Sequence, residues 1–385
     1  MMRRLLIIAM DVNQTAPGVV YGKLLKRLAE SFEITLICPD AKRCLDSKIN
    51  KVEIPPYKRV RHRLEVLFYR YFGCNLSDPI WSRKVQRLES VSNLSNFDAV
   101  VSFVSQGQFA PLYLGNVLSK RLETKWLVYS VDAIPTPLDW NPDKKSHRNV
   151  SSVLDKLVSN ADAFFSANPI MLQYELKTLK SFRGFSSVVL TPFDGQSVLN
   201  ENTAHDGCTF LYTGNVYGAR RITSLLAAFN QFHEQYNNSK LLFIGHGFEE
   251  ARRDYADLVN SGSIEIHGFT DDLSPYFSKS DVLIDIAADV TNDVFLSSKI
   301  ANYLPYNKPI IAISGDNSPV RHLMGACNSV IHCHHNVTEI FDAMQIATNY
   351  EGTEINDRAS LLEMFSLENV SAKFIKEIKM IVGKA

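Results

Sequence analysis

The sequence predicts two doubly wound α/β domains in tandem, on three observations. Short apolar runs alternate with segments of helical spacing from the first residues onward. The alternation stops once, over residues 191–206, and then restarts. The length of 385 residues suits two domains, each large enough to bury its own core. Buried strands separated by helices imply parallel sheets covered on both faces, and ligands of such sheets bind beyond the carboxyl ends of the strands. Two facing domains of this kind would place a site in the cleft between them.

Residues 4–10 form the first strand. Two arginines ahead of this apolar run imitate a secretion signal, but the run ends within about six residues at Asp11 with no small-residue cleavage site. The spacing of Val20, Leu24, Leu25 and Leu28 predicts a helix over 19–31. Strands follow at 32–38, 99–104, 126–131, 163–167 and 187–190. Residues 191–206 lack periodicity, are rich in turn formers and read as a linker. The second series comprises strands at 209–212, 240–244, 264–266, 282–286 and 309–313, with helices at 224–236, 251–259 and 298–304. The domains are therefore 1–190 and 207–365, with a last helix over 366–385.

The formal net charge of zero hides a split. Residues 1–190 carry 27 Lys and Arg against 17 Asp and Glu, and residues 191–385 carry 14 against 24. The basic half is expected to face an anionic partner. Six scattered cysteines without framework spacing read as reduced, buried thiols of a cytoplasmic protein. No apolar run approaches the ~18–20 residues of a membrane span, which leaves at most peripheral attachment to the inner face of a membrane.

Four strand-to-helix turns could carry chemistry. In the first, 11–18, Gly18 lets the backbone approach a ligand and the next helix offers amides to an anion, although an ordinary turn explains it equally well. It lacks the full dinucleotide fingerprint. The second, 210–221, holds Gly214, Asn215, Gly218, Arg220 and Arg221. Glycines expose backbone to phosphate oxygens, and a guanidinium can clamp two of them; the competing reading makes both arginines solvated surface charges. The third, 243–247, contains Gly245 and Gly247, and is followed by a strand end carrying His267, Phe269 and Thr270, whose backbone could meet a base. The fourth runs through Val294, Ser297, Ser298, Lys299 and Asn302 into Pro309. There a serine would cap a helix whose amides and Lys299 face a diphosphate, with Asn302 on a neighbouring part of the same face.

These residues resemble the nucleotide-sugar-dependent glycosyltransferases of the GT-B fold, especially glycosyltransferase family 4 and its bacterial surface-polysaccharide members. The resemblance is clearest over 209–313; in the first domain it rests on Gly18 and the segment 129–135, and the tail from Phe365 looks like the helix that crosses back to the first domain. It implies an acceptor-side first domain and a second domain that binds the nucleotide sugar. Gly214, Asn215, Arg220 and Arg221 would lie near the diphosphate, Lys299 with the Ser297 and Ser298 amides would neutralise the leaving group, and His267 to Thr270 would approach the base. The family commonly has two glutamates eight positions apart; here those positions are Val294 and Asn302, and only Asn302 can still hydrogen-bond a ribose hydroxyl.

Asp132, at a strand end, could accept an acceptor proton or bond the donor sugar, or simply cap a turn. His147 and Arg148 could reach the site from the next loop. The run His332, Cys333, His334, His335 invites a metal reading, but adjacent strand residues point oppositely, and a strand end with unpaired histidines fits better. Residues 55–87 interleave bases with aromatics, which suits an anionic membrane surface, or a solvated helix; no nucleic-acid motif accompanies them. The expected activity is transfer of a hexosyl-type sugar from a nucleotide-diphosphate donor to a polysaccharide or lipid-linked acceptor, with retention. Lys299, Arg221 and Asp132 would be catalytic, and no cofactor or metal is required if cations stabilise the diphosphate. The alternatives are a non-catalytic nucleotide-sugar-binding or partner subunit and a GT-B sugar-nucleotide epimerase.

Overall fold

Uninterrupted apolar strands that bury both faces can only sit inside a helix-covered parallel sheet, and the chain builds two of them. The computed structural model describes residues 2–42, 44, 46–56, 60–193, 207–270, 272–350 and 355–383. Of the linker expected over 191–206, residues 194–206 lie outside these, as do Tyr57, Lys58 and Arg59 of the basic segment. The chain divides into unit 1, residues 1–192 with 365–385, and unit 2, residues 193–364.

Unit 1 holds strands β1 (Arg4–Ile8), β2 (Glu33–Cys38), β3 (Ile49–Glu53), β4 (Ala99–Val104), β5 (Lys125–Ser130), β6 (Ala163–Ser166) and β7 (Phe185–Val188). Their order is β3-β2-β1-β4-β5-β6-β7, parallel throughout. The helices are α1 (Ala16–Leu28), α2 (His62–Phe72), α3 (Ser77–Gln86), α4 (Glu89–Ser92), α5 (Ala110–Arg121), α6 (Lys144–Val158) and α7 (Pro169–Thr178). Helix α1 starts at an N-capping Thr15, has Pro17 in its first turn and ends with Lys26 and Arg27 facing its carbonyls. Its buried stripe of Val20, Leu24, Leu25 and Leu28 is the one the spacing predicts. The edge strand β3 escapes sequence reading because Lys51 and Glu53 break its apolar pattern. The other edge strand, β7, begins two residues before the expected 187, where the Phe185 amide bonds the Asp162 carbonyl at 2.8 Å.

Unit 2 holds β8 (Thr209–Thr213), β9 (Lys240–Ile244), β10 (Ile264–His267), β11 (Val282–Ile286), β12 (Ile310–Ile313) and β13 (Val330–Cys333), in the order β10-β9-β8-β11-β12-β13, again parallel. Its helices are α8 (Thr223–Gln235), α9 (Glu249–Asp254), α10 (Ala256–Asn260), α11 (Ser274–Lys279), α12 (Ser298–Tyr303), α13 (Pro319–Met324) and α14 (Val337–Thr348), with α15 (Ala359–Phe365) at its boundary. The single helix expected over 251–259 is two: Tyr255 leaves helical geometry (φ −130°, ψ 39°), and its ring packs on the apolar core. All six cysteines are free and buried.

The last helix, α16 (Leu367–Gly383), belongs to unit 1 and packs on α1. It buries Val370, Phe374, Ile378 and Ile381, one stripe at helical spacing. Phe374 sits 5.0 Å from the Phe165 ring and 5.7 Å from that of Tyr129, so the helix closes one face of the first sheet. Phe374→Ala is expected to destabilise unit 1 by about 3–5 kcal/mol, whereas exposed Lys373→Ala should stay within about 0.5 kcal/mol. All three tryptophans lie in unit 1, so tryptophan fluorescence during urea unfolding reads the effect directly. Equal midpoints for the two variants would show that α16 is not part of the unit's core.

Candidate functional site

In unit 2 the chain reverses direction across the sheet between β8 and β11, the switch point at which doubly wound sheets open a crevice. Gly214 follows β8 and Gly245 follows β9, both with positive φ (113° and 133°). Any side chain at either position would be strained. A Cβ on Gly214 would collide with Cε of Lys299, and one on Gly245 would collide with the Gly214 carbonyl. The two turns are also linked by hydrogen bonds, Gly214 N–H to the Ile244 carbonyl at 2.7 Å and His246 N–H to Asn215 Oδ1 at 3.0 Å.

Lys299 comes from α12. Buried Asp293 folds the loop before that helix by accepting the amides of Ala288 (3.3 Å) and Phe295 (3.1 Å). One turn beyond Lys299, the Tyr303 hydroxyl accepts the Thr213 amide at 3.0 Å and bonds the Thr213 hydroxyl at 2.8 Å, which pins the helix to β8. The Lys299 ammonium donates to the Tyr212 hydroxyl at 3.2 Å. Burial, reinforced by the Arg220 charge and opposed by Asp285, pushes its pKa down to about 8. Asp285 itself is buried in the middle of apolar β11, with Oδ1 lacking a hydrogen-bond partner.

These elements border a cavity of about 730 Å³. Its polar part is formed by Thr213, Gly214, Asn215, Lys299 and Asn302. An apolar part is formed by Leu273, Phe277, Pro305 and Tyr306, where the rings of Phe277 and Tyr306 stack at 4.0 Å. Phe269, 76% exposed, also lines it with Thr270, Asp272 and Ser274.

Of the residues singled out in the sequence, Gly214, Asn215, Phe269, Thr270, Lys299 and Asn302 thus meet at one cavity. Others do not line it. The Arg221 guanidinium turns back onto its own loop and donates to the carbonyls of Gly218 (2.6 Å) and Arg220 (2.8 Å). Arg220 is the buried arginine, 5.1 Å over the Tyr217 ring and close enough to act on Lys299. His267 pairs with Glu265 at 3.3 Å and packs on Tyr276. Ser297 is buried and does not cap α12, and Ser298 is exposed.

Gly18 and Asp132 belong to unit 1. Gly18 packs against a side chain, since a Cβ there would lie 2.5 Å from the Asp11 carboxylate. Its amide is taken by Thr15 Oγ1 at 3.3 Å. Asp132 accepts the Gln106 amide at 3.4 Å, and burial raises its pKa. Near it, Glu175 is fully buried on the Ser166 hydroxyl (2.6 Å) and the Ile134 amide (3.1 Å), and burial pushes its pKa up to about 8. His147 bonds the Tyr174 hydroxyl at 3.0 Å. In the histidine run, His334 bridges Asp316 and Glu339 at 2.7 Å each, and His332 meets the Met324 carbonyl at 3.3 Å. Among the described residues no group of three or more His, Cys, Asp or Glu is arranged to hold a metal. Sequence reading missed Asp285, Tyr212 and Tyr303. A lone charge in an otherwise apolar strand signals the first; the two tyrosines look like core until the strands are paired.

Residues 207–347 match the family model described as Glycosyl transferases group 1. The chain is similar along its whole length to the solved structure of a glycosyltransferase from Rickettsia africae, at 13% identity and a TM-score of 0.66, covering 100% of this chain and 99% of that one. It is similar to the lipopolysaccharide outer core galactosyltransferase WaaB at 12% identity and TM-score 0.64, covering 98% and 99%. Anabaena HepE, solved in complex with UDP-glucose, gives 10% identity and TM-score 0.66, covering 98% and 99%. No curated protein matches the chain. At these identities what is shared is the fold, which is GT-B, and the family match falls within unit 2.

The lowered pKa of Lys299 makes a stability statement. Between pH 8 and the unfolded value of 10.5 the unfolded chain binds more protons than the folded one, so stability rises with pH across that window. Lys299→Met should remove this rise and raise the melting temperature of unit 2 at pH 7, by roughly 2–4 °C per kcal/mol recovered. Scanning calorimetry at pH 7 and pH 10 tests it; a lower melting temperature for the variant at pH 7 would contradict the burial argument.

Proposed function

We propose that this chain is a glycosyltransferase that binds a nucleotide-diphosphate sugar in the unit 2 cavity and passes the sugar to a polysaccharide or lipid-linked acceptor. The observation that carries the reading is the juxtaposition of Lys299 with the two glycine turns at the sheet's switch point. A diphosphate placed against Gly214 meets an ammonium held within a largely buried setting, with a second cation, Arg220, behind it. Positive charge fixed before the reaction stabilises the negative charge that develops on the leaving diphosphate. Asn302 serves a ribose hydroxyl, and the apolar part of the cavity, with exposed Phe269 beside it, takes the base. UDP and UDP-glucose bound to HepE support a uridine donor, and the outer-core substrate in the name of WaaB supports a glycolipid acceptor. Retention at the anomeric carbon is the outcome the family resemblance implies, and the product's anomeric proton coupling reads it.

A second reading, a donor-binding partner subunit without turnover of its own, is favoured by Val294, buried at a position where the family resemblance implies a glutamate. Purified chain offered a panel of nucleotide sugars separates the two: donor binding with transfer or hydrolysis supports the enzyme, and binding without either supports the subunit.

Lys299→Met is expected to lower transfer by ~10²–10³ while the circular dichroism spectrum stays unchanged. Wild-type turnover in that variant would overturn the role of Lys299. Affinity for UDP should also depend on pH with a definite sign. The free lysine loses its proton as pH rises through about 8, and a diphosphate restores it, so binding weakens above that pH and takes up a proton. Calorimetric titration in buffers of different ionisation enthalpy measures both; pH-independent affinity from 7 to about 9.5 would place the phosphates away from Lys299.

A further inference from the structure

Helix α2 has no buried residue. Leu64, Val66, Leu67, Tyr71 and Phe72 each keep half or more of their surface exposed. At 3.6 residues per turn, Leu64, Leu67 and Tyr71 fall within an arc of about 60°, so they form one exposed apolar stripe. Arg63 and Arg70 lie along one flank of that stripe, and the Lys145 ammonium stands 3.8 Å above the Tyr71 ring. Arg61, Lys144 and Arg148 are exposed nearby in the sequence.

The opposite side of the helix is fixed. The Glu65 carboxylate accepts the amides of Leu76 (2.6 Å) and Ser77 (3.1 Å), and Tyr69 stacks with Phe109 at 6.3 Å. Asn149 of α6 donates to the carbonyls of Arg70 and Tyr71 at 3.0 and 3.1 Å. Gly73 ends the helix with φ 73°, where a Cβ would collide with the Asn149 carbonyl. The fold therefore presents the apolar stripe rigidly instead of burying it. Three acids near the helix are engaged: Glu65 on those amides, Asp78 on the Phe109 amide at 3.2 Å, and Asp143 on Arg70 at 3.0 Å and on the first amides of α6.

We propose that α2 is a docking helix for an anionic lipid surface. It lies in the plane of the interface with Leu64, Leu67 and Tyr71 among the headgroups, while Arg61, Arg63 and Lys145 meet lipid phosphates. Charge complementarity selects this occupant. The stripe is narrow and bordered by long cations, the pattern of helices that lie in a membrane interface. A protein interface would instead place lysine outside its core. A second copy meeting through the same face would bring like charges together. The inference stands on unit 1 and is independent of the donor reading.

Co-sedimentation of the full chain with phosphatidylcholine vesicles, with and without about a third phosphatidylglycerol, tests it. The wild type should sediment with the anionic vesicles only, and added salt should release it. Each base near an anionic surface contributes about a factor of five, so Arg61→Ser with Arg63→Ser and Lys145→Ser should reduce partitioning more than about tenfold. Leu64→Ser with Leu67→Ser and Tyr71→Ser should reduce it comparably. All six side chains are exposed, so both variants should keep the wild-type circular dichroism spectrum and UDP affinity; loss of UDP binding would instead touch the donor reading. Equal binding to both lipids, no binding by the wild type, or wild-type binding by either variant would overturn the proposal. So would a wild-type dimer abolished by the serine substitutions in light scattering.

Discussion

The candidate site depends on one steric constraint: the stem of Lys299 has to pass through the space that a side chain on Gly214 would fill. Beside that approach Gly214 takes a positive φ, Gly245 sits tightly on the Gly214 carbonyl, and Tyr303 ties α12 to β8. Backbone turns and cation are thus parts of one packing solution. Changing any one of them moves the others, which is how a short helix of six residues can hold a lysine in place.

The same packing makes the lysine expensive to keep charged. Burial lowers its proton affinity, and Arg220 adds like charge; Asp285 beneath the site partly opposes both. An arrangement that disfavours a cation in the empty cavity favours an anion entering it, because the incoming charge meets groups already oriented and partly stripped of water. Electrostatic strain of this kind is a mark of functional sites.

Much of the fold was legible because parallel strands buried on both faces leave a signature in composition alone: β4, β8, β11 and β12 are buried at every residue. Legibility failed at the edges. Strand β3 carries Lys51 and Glu53 because one side of it has no neighbouring strand, and the break at Tyr255 arises from a ring seeking the core, which no local pattern announces. For the site, residue types near strand ends identified Gly214, Asn215, Lys299 and Asn302 as neighbours. They did not distinguish Arg220 from Arg221, because one residue along a turn reverses which guanidinium is buried and which folds back on carbonyls. Gly18 stayed open between two readings for a related reason. A glycine beside a helix start serves a ligand or a neighbouring side chain equally well, and here the Asp11 carboxylate occupies the space.

Val294 and Asn302, at the positions where the family resemblance implies glutamates, are consistent with this charge arrangement. A carboxylate at 302 would line the same cavity as Lys299 and would draw its proton affinity back up, as Asp285 already does in part. With asparagine there, the residue keeps a hydrogen-bonding head for a hydroxyl while adding no negative charge beside an incoming diphosphate. Valine at 294 is buried and contributes packing. The positive field at the polar part of the cavity is then left to act on the ligand's own charge. Lys299 and Arg220 thus supply the positive charge at this end of the cavity, and Asp285 is the carboxylate that partly opposes it.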